Sequence, residues 1–235
     1  MVDDEEINLR DTCRALAGNL DKYIIDNTVV AVSWGNTLNC LAGQIQPLKA
    51  KDIKVVQLNG GVAKSASSTG ASQIVDALTM AGHGIGYMFP VPAIVDSKHT
   101  SEILQEETQV KNVLRLAKEA EVSIFSIGAL SKDSILYEVE YLKDEDFQAL
   151  EKNKAVGDIA SRYFDINGNI ALKELDDRVV GFGLEELREK EWTIAIAVGV
   201  NKVDAIIGAL RAGFMNVLYT DEKTAREILN RNLLG

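Results

Sequence analysis

Residues 29–45 of this 235-residue chain, VVAVSWGNTLNCLAGQI, carry an apolar run straight into Gly35-Asn36-Thr37. The run reads as a buried strand, and the Gly-Asn-Thr turn behind it as a helix start. Unpaired N–H groups in a first helical turn, the positive end of the helix dipole and a threonine hydroxyl together suit a bound anion, phosphate above all. The same residues would also serve merely to end a strand and cap a helix. Open parallel sheets collect ligands outside the carboxyl ends of their strands, so four further strand ends call for inspection. They carry Asn59-Gly60-Gly61, Pro90-Val91-Pro92, Gly128 and Gly199-Val200-Asn201-Lys202. Glycine admits backbone N–H groups close to a ligand, and it also simply ends strands. Lys202 stands at a predicted helix start, where the dipole favours an anionic side chain, and a phosphate faced by the ammonium would account for it. Asp165 is a carboxylate placed to meet a sugar hydroxyl, the alternative being that it caps the Asn167-Gly168 turn. Asp176 and Asp177 read as structural partners of Arg178.

Other motifs fall away on spacing. Gly60-Gly61-Val62-Ala63-Lys64-Ser65 lacks the glycine that precedes the lysine of a P-loop. Gly82-His83-Gly84-Ile85-Gly86 precedes a strand instead of following one, which excludes a dinucleotide fingerprint. His83 and His99 have no partners at metal-ligand spacing, and no nucleophile elbow occurs. No metal site, cofactor or catalytic residue is therefore expected.

Positioning these loops requires a sheet. Apolar runs at 29–34, 53–58, 85–89, 122–127, 179–182, 193–198 and 217–219 alternate with helical segments at 36–46, 71–81, 108–120, 184–189, 202–212 and 221–232. Runs apolar on both faces, separated by helices, imply an α/β fold whose parallel sheet is covered on both sides. Residues 128–177 break the rhythm with a charged helix and an Asn-Gly turn, and read as an inserted lobe or crossing strand pair. The first helix, 5–26, carries Leu9, Cys13, Leu16, Leu20 and Tyr23 at 4-3-4-3 spacing, a seam suited to one neighbouring helix or to the domain's own sheet.

A formal charge of −10 without a basic cluster works against a nucleic-acid surface on this chain. Neither a membrane span nor a basic signal segment is visible, so a cytoplasmic location is expected. Cys13 and Cys40 are too few for a disulfide framework and read as buried thiols.

Seven motifs occur in order from about Asp11 onward: SWGNTL, QLNGG, FPVPAIVDS, the Gly128 strand end, AVGDIASRYFDINGN, DDRVVGFGLEELRE and AVGVNKVDAIIGALRAGFMNVLYTDEKTAREIL. Together they resemble the effector-binding domain of the SorC family of bacterial sugar-responsive transcriptional regulators. The resemblance implies a three-layer α/β/α domain with a mostly parallel sheet, similar to sugar-phosphate isomerases and glucosamine-phosphate deaminases. It implies a phosphorylated sugar as effector, with Gly35, Asn36 and Thr37 as the phosphate turn, Asn59, Gly60 and Gly61 as a second loop, and Gly128, Asp165 and Lys202 as further contacts. Val198 stands where the family carries the first glycine of a pair, adding bulk near the pocket. Residues 1–27 would then be a connector helix and 28–235 the effector domain. A helix-turn-helix domain, absent here, would meet operator DNA, and the chain would form a homo-oligomer, dimer or tetramer. The alternative is an isomerase or deaminase on the same fold, with Asp165 and Lys202 as its working pair.

Overall fold

The structure is a computed structural model and describes residues 5–62 and 71–233. Strands β1 (Val29–Val32), β2 (Lys54–Gln57), β3 (Ile85–Tyr87) and β4 (Val122–Ser126) join β8 (Trp192–Ile196) and β9 (Val217–Tyr219) in one parallel sheet. Its order is β3-β2-β1-β4-β8-β9. The chain thus winds outward one way through β1, β2 and β3, then back through β4, β8 and β9. A crevice must open where the direction reverses, between the carboxyl ends of β1 and β4.

Alternate residues of each strand feed opposite cores, which is why the strands are apolar on both faces. Val30 and Val32 pack with α1 (Glu5–Ala17), α2 (Asn36–Ala42) and α3 (Ala71–Ala81) through Leu16, Leu41 and Leu78. Val29 and Ala31 face the other way, toward Val113 and Leu116 of α5 (Thr108–Glu119) and Ile206 of α9 (Val203–Arg211). Two helical layers therefore enclose the sheet, as expected. Beyond β9 the chain closes with α10 (Glu222–Leu233).

The irregular interval is a lobe with its own sheet and core. Strands β5 (Gly128–Ala129), β6 (Ala155–Ile159) and β7 (Arg162–Asp165) form an antiparallel sheet, accompanied by α6 (Ile135–Glu138), α7 (Asp144–Lys152) and α8 (Lys173–Asp176). Leu136, Phe147, Leu150, Tyr163 and Leu175 form its core. The β6–β7 turn is Ala160-Ser161, with φ of 51° and 71°, and not the Asn167-Gly168 turn, which follows β7 and leads to the bridge between Phe164 and Ile170.

Three other elements differ from expectation. The first helix ends at Ala17, and a short 3-10 turn, Leu20–Lys22, follows it. Residues 179–182 make isolated bridges to Ile94 and Asn59 instead of a strand. Between β3 and α5 lies α4 (Lys98–Glu106), unanticipated although Ser97 caps it by accepting from the Thr100 N–H. The α1 seam is consumed within the domain: Cys13, Leu16 and Leu20 are fully buried, and Cys13 Sγ donates to the Thr37 carbonyl at 3.7 Å. A helix so embedded belongs to the same core as the sheet, and its seam no longer argues for association with a second chain.

Candidate effector site

The crevice at the β1/β4 reversal is a cavity of about 290 Å³. The β1 end contributes Ser33, Trp34, Gly35, Asn36 and Thr37, and the β4 end contributes Ser126, Ile127 and Gly128. From beyond the sheet come Asn59, Asp158, Ser161, Asn201 and Lys202. Of the residues singled out from sequence, Gly35, Asn36, Thr37, Asn59, Gly128 and Lys202 therefore meet around one space.

Gly35 precedes α2 with φ 129° and no side chain caps the helix. A Cβ at that φ would be strained, although nothing lies within 4 Å of where it would sit. Ser33 and Asn59 are 3% and 2% exposed, yet Ser33 Oγ and Asn59 Oδ1 have no hydrogen-bond partner among the described residues. Orphaned polar atoms in a cavity wall are what a polar ligand would satisfy. Asn59 Nδ2 donates to Ser161 Oγ at 3.0 Å, and the Ser161 N–H donates to Asp158 Oδ2 at 3.1 Å.

Lys202 is half-buried, and among the described residues no carboxylate lies within ion-pair distance of its ammonium. Burial holds its pKa below the ordinary lysine value, partly offset by the nearby charges of Asp158 and Glu5. Asp158 is shifted the other way. Burial pushes its carboxyl up to about 6, against the Ser161 N–H and the Lys202 charge, both of which favour ionisation. Gly128 makes this placement feasible, because a Cβ there would lie 2.2 Å from Asp158 Oδ1.

Gly60, Gly61 and Asp165 do not join the cavity. The Gly60 and Gly61 N–H groups donate to the Val180 and Val91 carbonyls, and the Gly60 carbonyl accepts from Trp34 Nε1 at 2.7 Å. These glycines stitch the β2 end to neighbouring loops and leave no N–H groups for a cradle. Asp165 accepts from the N–H groups of Asn167 and Asn169, and from Asn169 Nδ2. Its carboxylate is the cap of the Asn-Gly turn, and the aspartates that line the cavity are Asp133 and Asp158. Inspecting strand ends alone overlooks Asp158, which lies inside β6 of the lobe, a strand without a clear sequence signal.

Neighbouring charges pair off. Asp176 holds the buried Arg162 at 2.6 Å, Asp177 pairs with Lys98 and Lys173, and Arg178 turns to Asp146 instead of to the aspartates beside it. Val198 lines a separate cleft beside Glu5 and Asp221, so its bulk falls outside the main cavity. Lys64 and Ser65, from the P-loop-like stretch, lie outside the described residues. Among the described residues there is no group of three metal-ligating side chains, and no helix is long and apolar enough to cross a membrane.

A polar crevice at the switch point of a parallel sheet wrapped on both faces, holding one half-buried cation among hydroxyl and amide groups, defines a small-molecule-binding α/β domain. The family model described as "Putative sugar-binding domain" matches residues 2–230. The deoxyribonucleoside regulator of Bacillus subtilis (strain 168) is 33% identical over 220 residues, which cover 94% of this chain and 70% of that protein. A DeoR family transcriptional regulator from Listeria monocytogenes superposes with a TM-score of 0.87 at 27% identity, covering 96% of this chain and 89% of that one. The full-length sorbitol operon regulator SorC from Klebsiella pneumoniae shares the fold, with a TM-score of 0.88 at 21% identity over 96% of this chain and 73% of that one. This chain belongs to the family described as a putative sugar-binding domain, and bacterial transcriptional regulators are among its relatives.

Proposed function

We propose that this domain captures a phosphorylated sugar in the β1/β4 crevice and passes the occupied state to a DNA-binding module of a cytoplasmic regulator, without converting the sugar. The observation that carries the reading is Lys202, an ammonium held half-buried in the cavity wall with no carboxylate within ion-pair distance of it among the described residues. A buried cation without a counterion is costly, and a phosphate would supply the missing charge. The uncapped first turn of α2 and the orphaned Ser33 hydroxyl offer donors to the same anion. Occupancy has a route outward. Glu5, in the first turn of α1, lies against Gly199, three residues before Lys202 in the same loop. A ligand that draws Lys202 inward would bias how α1 is held, and it shifts the equilibrium only by its differential affinity for the two arrangements. Assembly into dimers or tetramers remains part of the proposal on family resemblance alone.

Thermal unfolding with a panel of pentose and hexose phosphates beside their unphosphorylated parents tests the reading. A cognate phosphate at about a hundred times its Kd should stabilise by roughly 2.7 kcal/mol while its parent sugar does not. Lys202→Ala should weaken that binding at least about 10-fold without unfolding the domain. Equal shifts for sugar and sugar phosphate would overturn the phosphate assignment.

One observation favours an enzyme instead: Asp158 is a cavity carboxylate with a pKa near that of a general base. Protein-dependent isomerisation or ammonia release from these compounds, abolished by Asp158→Asn, would promote that reading. The expected result is that every compound is returned unchanged.

A further inference from the structure

The two cysteines of this chain take no part in the crevice, yet the fold brings them together. Cys13 lies on α1 fully buried, with its Sγ 3.7 Å from the Thr37 carbonyl of α2. In a helix a carbonyl points along the axis toward the residues three and four positions on, so a thiol resting on the Thr37 carbonyl stands beside Cys40. The Cys40 side chain packs on the same core cluster that holds Cys13, Leu16 and Leu41, and the two thiols are within hydrogen-bonding reach of each other. Their surroundings differ. Cys13 is sealed among apolar side chains, and burial, with the nearby Cys40 adding to it, keeps its thiol protonated. Cys40 is only half-buried and is open to a small reagent. One accessible thiol backed by one inaccessible thiol is the arrangement in which an attacking and a resolving cysteine act in turn.

We propose that Cys13 and Cys40 are a redox pair that closes into a disulfide between α1 and α2, with a low-molecular-weight disulfide, RSSR, as the oxidant. The Cys40 thiolate attacks one sulfur of the reagent, so that a mixed Cys40–S–S–R bond forms and RS⁻ leaves to be protonated as RSH. Cys13 then gives its proton to solvent and attacks Cys40 Sγ, the Cys13–Cys40 bond forms, and the second RS⁻ leaves to be protonated in turn. Two protein thiols are oxidised and one reagent disulfide is reduced to two thiols, so electrons and protons balance. The bond ties α1 to the helix whose Asn36 and Thr37 line the crevice. It also closes a loop that contains β1's approach and the whole of that strand, which restricts the unfolded chain and stabilises the folded one.

Incubation of the folded chain with oxidised glutathione tests it, followed by mass spectrometry of the intact protein and of its non-reduced peptides. The expected product has no free thiol and no retained glutathione, yields a peptide cross-linked between Cys13 and Cys40, and returns to the starting mass with dithiothreitol. Its Tm should exceed that of the reduced chain by at least about 3 °C. Cys13→Ala should stop at one glutathione retained on Cys40, whereas Cys40→Ala should leave Cys13 unmodified. The second variant changes a half-buried position and serves as the control where the first fails to fold. A wild-type chain that keeps both thiols, stops at the mixed disulfide, or links to a second chain through Cys40 overturns the inference. So does a Cys13–Cys40 bond that leaves Tm unchanged or lowers it, because the native packing of α1 on α2 would then not accommodate the link.

Discussion

Replacing Asp158 by asparagine should stabilise the empty domain at neutral pH even though it impairs the site. Burial raises the carboxyl from 3.8 to about 6, so the folded state holds the proton more tightly than the unfolded chain does. The stability that this tighter proton binding supplies is complete below about pH 4 and is lost as pH rises through about 6. Above that the ionised carboxylate costs a constant amount. A difference of about 2 pKa units at 1.36 kcal/mol per unit sets a ceiling of about 3 kcal/mol. The cavity is open to water, and asparagine forfeits the attraction to Lys202, so about 1–2 kcal/mol is the expected gain at pH 7.5. For a chain of this size that corresponds to about 3–6 °C in Tm. Asparagine retains an acceptor for the Ser161 N–H, so the turn is preserved. Urea and thermal unfolding of both proteins between pH 4 and pH 8 measure the effect, with other titrating groups cancelling in the difference. Equal stability at pH 7.5, or a gain of the same size at pH 4 and pH 7.5, would refute the assignment of Asp158 as a carboxylate held in the wall at a cost.

Two further predictions concern residues outside the cavity. Leu16→Ala, at a fully buried position of α1, should destabilise by about 2–4 kcal/mol in urea unfolding, and a loss under about 0.5 kcal/mol would mean that α1 is not part of the core. Asp165→Asn should leave sugar-phosphate affinity within about 2-fold while costing about 1 kcal/mol in unfolding experiments. Despite the opposing effect of burial, N–H donors from Asn169, Asn167 and Gly168 lower the Asp165 pKa, so its stabilising contribution is present at neutral pH and fades as pH falls through the lowered value. A large loss of affinity with unchanged stability would return Asp165 to the site.

The strand positions were readable because burial on both faces favours apolar runs, which VVAV meets along its whole length and KVVQ and WTIAI meet at Val55-Val56 and Ile194–Ile196. Strand ends could be inspected for the same reason, and Gly35, Thr37, Gly128 and Lys202 do converge. Local sequence could not settle how a turn spends its hydrogen bonds. Asp165 and Gly61 look like ligand contacts in the linear chain, and each is instead consumed by a neighbour, one by its own turn and one by Val91.

The amino-acid order alone thus determines the covered parallel sheet, the glycine-bearing junctions at its edge and the net charge of −10, since these depend on periodicity, local backbone freedom and summed charge. Only the folded chain brings Asp158 against Gly128 and Asn59 against Ser161, 102 residues apart, because the lobe must first fold back over the reversal between β1 and β4. Burial there raises one carboxylate's pKa, lowers that of the lysine and leaves Ser33 Oγ and Asn59 Oδ1 without a partner among the described residues, and burial belongs to the packed neighbours of a residue and not to its place in the chain.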